Sequence, residues 1–138
     1  MSEENVEMVR RAFETFNRGG PEAVISEGLW SPELVWDFSP SGIPGLGVYR
    51  GFDEIRTFFE KDWFGAFPFE EWEVEVDELI DNGDQVIAVS RQRGRGGTSG
   101  VEAELEQAFI VTVRDGEIVR VEGYLDRDAA LEAAGLSE

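Results

Sequence analysis

The stretch from Val101 to Leu125 reads VEAELEQAFIVTVRDGEIVRVEGYL. Val101, Ala103, Leu105, Gln107, Phe109, Val111 and Val113 fall at every second position, so an extended chain places all of them on one face. Gln107 is the one polar member of that row. Asp115-Gly116 then supplies residues that tolerate the positive φ angles of a tight hairpin turn. The chain returns from Glu117 to Leu125 with Val119, Val121, Gly123 and Leu125 alternating on one face. Together the two runs predict a long antiparallel hairpin with one apolar side, which either fills a core or walls a cavity.

The same two-residue period extends upstream. Trp72, Val74 and Val76 alternate with Glu71, Glu73, Glu75 and Asp77, Asn82-Gly83 offers a second tight turn, and Gln85 to Arg95 returns. Four strands in a meander are predicted. Arg91, Arg93 and Arg95 share one strand face and Glu102, Glu104 and Glu106 share one on the next, which predicts cross-strand ion pairs rather than an anion site. The glycine-rich stretch from Gly94 to Gly100 joins two strands instead of opening a helix, so it reads as a connection and not as a phosphate cradle.

The first half of the chain has helical spacing. Ser2 precedes Glu3 and Glu4, and Val6, Val9, Phe13 and Phe16 recur up to Gly19-Gly20. Pro21 suits the first turn of a second short helix that Gly28 stops. Glu33 to Phe38 alternates as a short strand, with Leu34, Trp36 and Phe38 on one face and Val35 and Asp37 on the other. Ser39 to Gly47, with two Pro and three Gly, reads as a mobile flap, followed by a brief strand at Val48-Tyr49-Arg50. Ile55, Phe58, Phe59 and Trp63 mark a helix from Gly51 to Trp63. Asp126 caps a final helix from Arg127 to Ala134, with Gly135 as its left-handed stop.

Length and composition narrow the possibilities. A chain of 138 residues, 41% hydrophobic and 12% aromatic, makes one domain, 1–138, with a sizeable core. A net charge of −18 repels a phosphate backbone and predicts no nucleic-acid partner. With no Cys and no His there is neither a thiol nucleophile nor an imidazole base, and no metal site or cofactor is expected. The Met-Ser-Glu-Glu start carries no basic region ahead of an apolar run, and no later run is long enough to span a bilayer, which predicts a soluble cytoplasmic protein with no membrane partner.

Several of these segments resemble one family. Asn5-Val6-Glu7 with Phe13-Glu14-Thr15-Phe16-Asn17-Arg18-Gly19, Val48-Tyr49-Arg50-Gly51 followed by Ile55-Arg56-Thr57-Phe58-Phe59, Arg114-Asp115-Gly116-Glu117-Ile118-Val119-Arg120, and Tyr124-Leu125-Asp126-Arg127 are similar to the SnoaL-like branch of the nuclear transport factor 2-like superfamily. The resemblance implies an α+β fold in which a curved antiparallel sheet forms a cone around three helices, with an apolar pocket inside and a short helix at the C-terminus. Members include polyketide cyclases, ketosteroid isomerases and limonene-epoxide hydrolases, so the fold serves enzymes and binding proteins alike.

The resemblance also nominates residues. Val35-Trp36-Asp37 is similar to the segment carrying the general-base Asp of the steroid isomerases, making Asp37 the catalytic candidate, with Arg91 or Arg93 as a partner if one turns inward. The isomerases' oxyanion phenol falls at Ala12 and their second acid near Gln107 to Phe109, so the remainder of that site is absent. Gln107 can orient a carbonyl but cannot take its proton, and Tyr49 is a second candidate for polarising an oxygen. Two functions are compatible with this set: a cofactor-independent isomerase or cyclase using Asp37, or a non-catalytic protein that binds or senses a small hydrophobic molecule. The expected cavity is bounded by Gln107, Phe109, Val121, Gly123 and the strand carrying Trp36 and Asp37, and is closed by the loop from Ser39 to Gly47. Family members commonly pair through the outer sheet face, and the outward row of Ala108, Ile110, Thr112, Ile118 and Tyr124 predicts a homodimer formed there.

Overall fold

The computed structural model describes residues 2–63, 72–95 and 102–136. Val101, Glu71 and most of the glycine-rich connection lie outside those residues. The chain opens with α1 (Ser2–Ser26), which Gly20 breaks with φ 72° and ψ −164°, a conformation closed to residues bearing a Cβ. Pro21 then starts the second helical segment, as the sequence predicts. β1 (Trp30–Asp37) follows, then a short 3₁₀ turn at Ser39–Ser41 and β2 (Val48–Arg50). α2 (Gly51–Thr57) widens into a π-helical turn over Phe58–Trp63. The remainder is β3 (Glu73–Asn82), β4 (Gln85–Arg95), β5 (Glu102–Arg114), β6 (Glu117–Tyr124) and α3 (Arg127–Ala133).

The six strands form one sheet in the order β2-β1-β6-β5-β4-β3. The meander from β3 to β6 is antiparallel as its turns predict, whereas β1 joins β6 in parallel, with Trp36 opposite Val121 and Asp37 opposite Glu122. That parallel seam carries the first half of the chain onto the hairpin. α1 packs against β3 and β4 and α2 against β1, so the inner face of the sheet is buried beneath helices.

Bulges adjust which side chains face inward. Opposite β5, the register of β6 passes from Arg120 against Thr112 to Ile118 against Val113, leaving Val119 as the extra residue. A one-residue insertion reverses the alternation on its far side. Ile118, expected to face outward, is therefore 2% exposed in the core, and Val119, expected inward, is only half-buried. Leu125 also departs from its expected place: it lies beyond the end of β6 and is exposed. β3 has a similar irregularity between Val76 and Glu78, after which Leu79 joins the inner core.

The outer face is occupied by the chain itself. Ala108 and Ile110 of β5 and Ile87 and Val89 of β4 are buried in a second apolar cluster with Ala130 of α3. Asp126 caps α3 by accepting from the Ala129 N–H at 2.9 Å, and Arg127 ties its first turn to Glu78 of β3 at 2.8 Å. Two members of the apolar outward row that suggested a homodimer, Ala108 and Ile110, are thus packed against the C-terminal helix, a contact that strand alternation could not reveal. Arg93 pairs with Glu104 of β5 and Glu75 of β3, and Arg91 pairs with Glu75 and Asp77, all on the outer face. No described helix is long and apolar enough to cross a membrane.

Candidate functional site

Between α1, the π-helical turn and the inner face of the sheet lies a cavity of about 60 Å³. α1 contributes Val9, Ala12, Phe13 and Phe16, residues whose three-and-four spacing turns one helix stripe toward the sheet. The wider π-helical turn holds Phe58 and Phe59 both buried, with Phe59 and Trp63 on the wall. β1 adds Trp30 and Trp36, the hairpin adds Gln107, Phe109, Val111, Ile118 and Val121, and β4 adds Gln92. The rings interlock: Trp36 meets Trp30 edge-on at 5.5 Å, Phe59 at 5.3 Å and Phe109 at 6.1 Å.

Among the described lining residues the only polar side chains are the two glutamine amides and the tryptophan indoles. Gln92 and Gln107 are 6% and 0% exposed, on facing strands and diagonal to one another, since Ser90 opposes Gln107 and Gln92 opposes Leu105. The Gln92 Nε2 donates to the Gln107 Oε1. The Gln107 Nε2 and the Trp36 Nε1 are buried with no hydrogen-bond partner among the described residues. An N–H withdrawn from water and left unpaired costs on the order of 1–3 kcal/mol. Two such donors on the wall of one cavity are the defining chemical property of the site.

Asp37 requires correction as the candidate base within the cavity. Strand alternation places it opposite Trp36, and Trp36 is the one that faces inward. The Asp37 carboxylate instead accepts from the Ser39 N–H at 2.8 Å and the Ser39 hydroxyl at 2.6 Å, and pairs with Arg120 at 3.3 Å. Partial burial pushes its proton affinity up, but the two Ser39 bonds and the positive charges of Arg120 and Arg50 outweigh this and hold the carboxyl below its ordinary 3.8. A carboxylate so stabilised is a weak base. Arg120, not Arg91 or Arg93, is its partner.

Three further expectations change. Tyr49 does not line the cavity; its ring packs against Phe58 at 4.5 Å and its hydroxyl accepts from the Gly47 N–H at 3.4 Å. Gly123 leaves no free space, because the Phe38 ring already fills it: a Cβ there would lie 3.1 Å from the Phe38 Cδ1. The loop from Ser39 to Gly47 is bonded down rather than forming the cavity's lid, with Phe38 N–H donating to the Gly47 carbonyl at 2.9 Å and the buried Ser41 hydroxyl donating to the Phe38 carbonyl at 2.7 Å. Gln107, Trp36, Phe109 and Val121 do lie on the wall. Gln92 was missed, although it alternates with Arg91 and Arg93 and so had to face away from their ion pairs.

The comparisons agree with this architecture. An uncharacterised protein of Mycobacterium tuberculosis is 29% identical over 130 residues, covering 94% of each chain. The crystal structure of TerC with polyporic acid is similar at a TM-score of 0.74 and 22% identity, over 96% of this chain and 98% of that one. A Catenulispora acidiphila protein with a ketosteroid isomerase-like fold, in complex with trimethylamine, matches at a TM-score of 0.70 and 15% identity, over 94% and 93%. The pattern of the SnoaL-like domain matches residues 9–121, a span that holds α1 from Val9 onward, both tight turns, Gln92, Gln107 and the parallel seam as far as Val121. The chain belongs to the SnoaL-like family.

Proposed function

We propose that this protein binds a small, uncharged and mostly apolar molecule in the aromatic cavity, without using Asp37 as a base. The observation that carries this reading is the pair of buried, unpartnered donors, Trp36 Nε1–H and Gln107 Nε2–H, in a wall otherwise made of rings and aliphatic side chains. A buried polar group without a partner is rare in a native fold, and a ligand that accepts from it removes the cost. The wall suits a neutral guest, because an ion would lose its hydration with no opposite charge among the described lining residues to replace it. Size restricts the guest further. A cavity of about 150 Å³ accommodates benzene, so about 60 Å³ takes a molecule of only a handful of heavy atoms unless a wall ring moves. Two proteins of the same fold are recorded with small organic molecules, polyporic acid and trimethylamine respectively.

The test is a proton–nitrogen NMR titration of the labelled protein with a panel of neutral ring compounds of at most about five heavy atoms. Binding shifts the Trp36 indole N–H and the Gln107 side-chain amide resonances together. A panel in which no member moves either resonance refutes the reading.

A further inference from the structure

We propose that the Gln92–Gln107 pair is a subsite for an amide-type guest, a neutral molecule whose N–H donor sits beside an acceptor oxygen or nitrogen. This rests on the reading of the cavity as a ligand site and names the class of guest. Each glutamine amide brings one carbonyl oxygen and one NH₂ group. The Gln92 Nε2 donates to the Gln107 Oε1, and the reciprocal bond is not made, because the Gln107 Nε2 has no partner among the described residues. Two groups are left over: the Gln107 NH₂ and the Gln92 carbonyl oxygen, which no hydrogen bond among the described residues occupies. Each is bonded to the same carbon as an atom of the shared bond, so the two stand close together on the wall.

Turning both amides over together exchanges the bonded atoms but not the remainder, which is again one NH₂ group and one oxygen. Turning one alone sets oxygen against oxygen or nitrogen against nitrogen and breaks the bond. In every bonded orientation, therefore, the pair offers one donor group and one acceptor. Gln92 and Gln107 are 6% and 0% exposed, so leaving these groups unpaired costs free energy that a matched guest recovers. None of the described lining residues is charged, which disfavours carboxylates and ammonium ions, and the rings of Trp36, Phe59 and Phe109 suit a flat body.

Pyrazole, isoxazole and pyrrole provide the test, since they are uncharged five-membered rings of nearly equal size. Pyrazole carries an N–H beside an acceptor nitrogen, isoxazole only accepts and pyrrole only donates. The wild-type protein is expected to bind pyrazole about tenfold more tightly than either of the others, the ratio associated with one net hydrogen bond. In Gln92→Met with Gln107→Leu the subsite is gone while the Trp36 donor stays, so the preference for pyrazole over isoxazole falls to about one or below. The rings share one shape, so a change in cavity volume cancels from that ratio. Circular dichroism checks folding, and Gln92→Leu with Gln107→Met supplies the same comparison if the first double variant is unfolded. Isoxazole or pyrrole binding the wild type as tightly as pyrazole overturns the amide-type subsite while leaving the cavity reading intact. A tenfold preference for pyrazole retained by a folded double variant overturns the part assigned to the two glutamines. Binding of none of the three rings overturns the subsite and the cavity reading together.

Discussion

The side-chain amide of Asn17 donates to the Val74 carbonyl at 2.8 Å and accepts from the Val74 N–H at 2.9 Å. A residue of α1 thereby takes the place of a neighbouring strand at the edge formed by β3. Both main-chain groups of Val74 would otherwise face the helix unpaired. Asn17→Ala is expected to lower the unfolding free energy by about 1–2 kcal/mol, as loss of two hydrogen bonds costs in a half-buried setting. Urea denaturation followed by circular dichroism measures it, and a change within error of zero refutes the pairing.

Asp37 gives a pH prediction. Its folded-state carboxyl is held below the ordinary 3.8, so folding favours the ionised form. The stability it contributes is complete above that value and is lost as the pH falls through the lower folded-state value. Asp37→Asn should therefore reduce stability near neutral pH, and the gap to wild type should narrow as the pH falls from the ordinary 3.8 through the lower folded-state value. The same substitution should leave guest affinity unchanged, since Asp37 is absent from the cavity wall. A large loss of binding at full folding would restore Asp37 to the site.

Ala12 lies on the cavity wall and is 7% exposed. Ala12→Leu adds side-chain volume where there is empty space, so stability should be unchanged or rise by about 1–2 kcal/mol, at about 0.8 kcal/mol per buried methylene less some strain. Guest binding should be abolished. Thermal unfolding and the ring-compound titration report the two effects separately.

The unpaired donors are expected to cost stability in the empty protein. Replacing both partners of the glutamine pair, in Gln92→Met with Gln107→Leu, removes the orphaned amide and its bonded neighbour together. The double variant should be more stable than wild type by about 1–3 kcal/mol. Gln107→Leu alone should gain less, because it leaves the Gln92 amide without its acceptor. Denaturant midpoints of the three proteins decide this.

Gly123 is held to its size by Phe38. Gly123→Ala puts a methyl group 3.1 Å from the Phe38 ring and should cost about 1–3 kcal/mol as overpacking. The cost should shrink in the background of Phe38→Leu, where the ring edge is gone. Equal costs in both backgrounds would show that the two positions do not interact.

The fold was legible because the signals for it are local. Asn82-Gly83 and Asp115-Gly116 specify where strands reverse, and the alternating row ending at Val113 specifies which face of β5 is buried, including the inward turn of Gln107. The Arg row of β4 and the Glu row of β5 were likewise expected to pair across strands, as Arg93 and Glu104 do, whereas the pairing of Arg91 with Glu75 and Asp77 of β3 was not read from the sequence. What escaped the sequence depends on a single residue of register or on a partner distant in the chain. The extra residue at Val119 reverses Ile118, and nothing in its neighbours announces the bulge. The alternation of β1 separates Trp36 from Asp37 but does not say which faces in; that is decided by the parallel seam with β6 and by the rings of Phe59 in the π-helical turn and Phe109 on β5. Phe38 filling the gap at Gly123 is a tertiary event of the same kind. Gln92 was within reach, because fixing Arg91 and Arg93 outward fixes Gln92 inward.

All four tryptophans of the chain, Trp30, Trp36, Trp63 and Trp72, stand on the cavity wall. Trp30 and Trp36 have ring centres 5.5 Å apart, and Trp63 and Trp72 are 5.3 Å apart. The protein's whole indole emission therefore originates from around one cavity, with no distant tryptophan to supply a constant background. Excitation taken up by one ring of either pair lies within exchange distance of its neighbour, so a guest that quenches one indole darkens more than one. The cavity carries its own optical reporter, and the emission of the unmodified protein becomes a direct measure of occupancy.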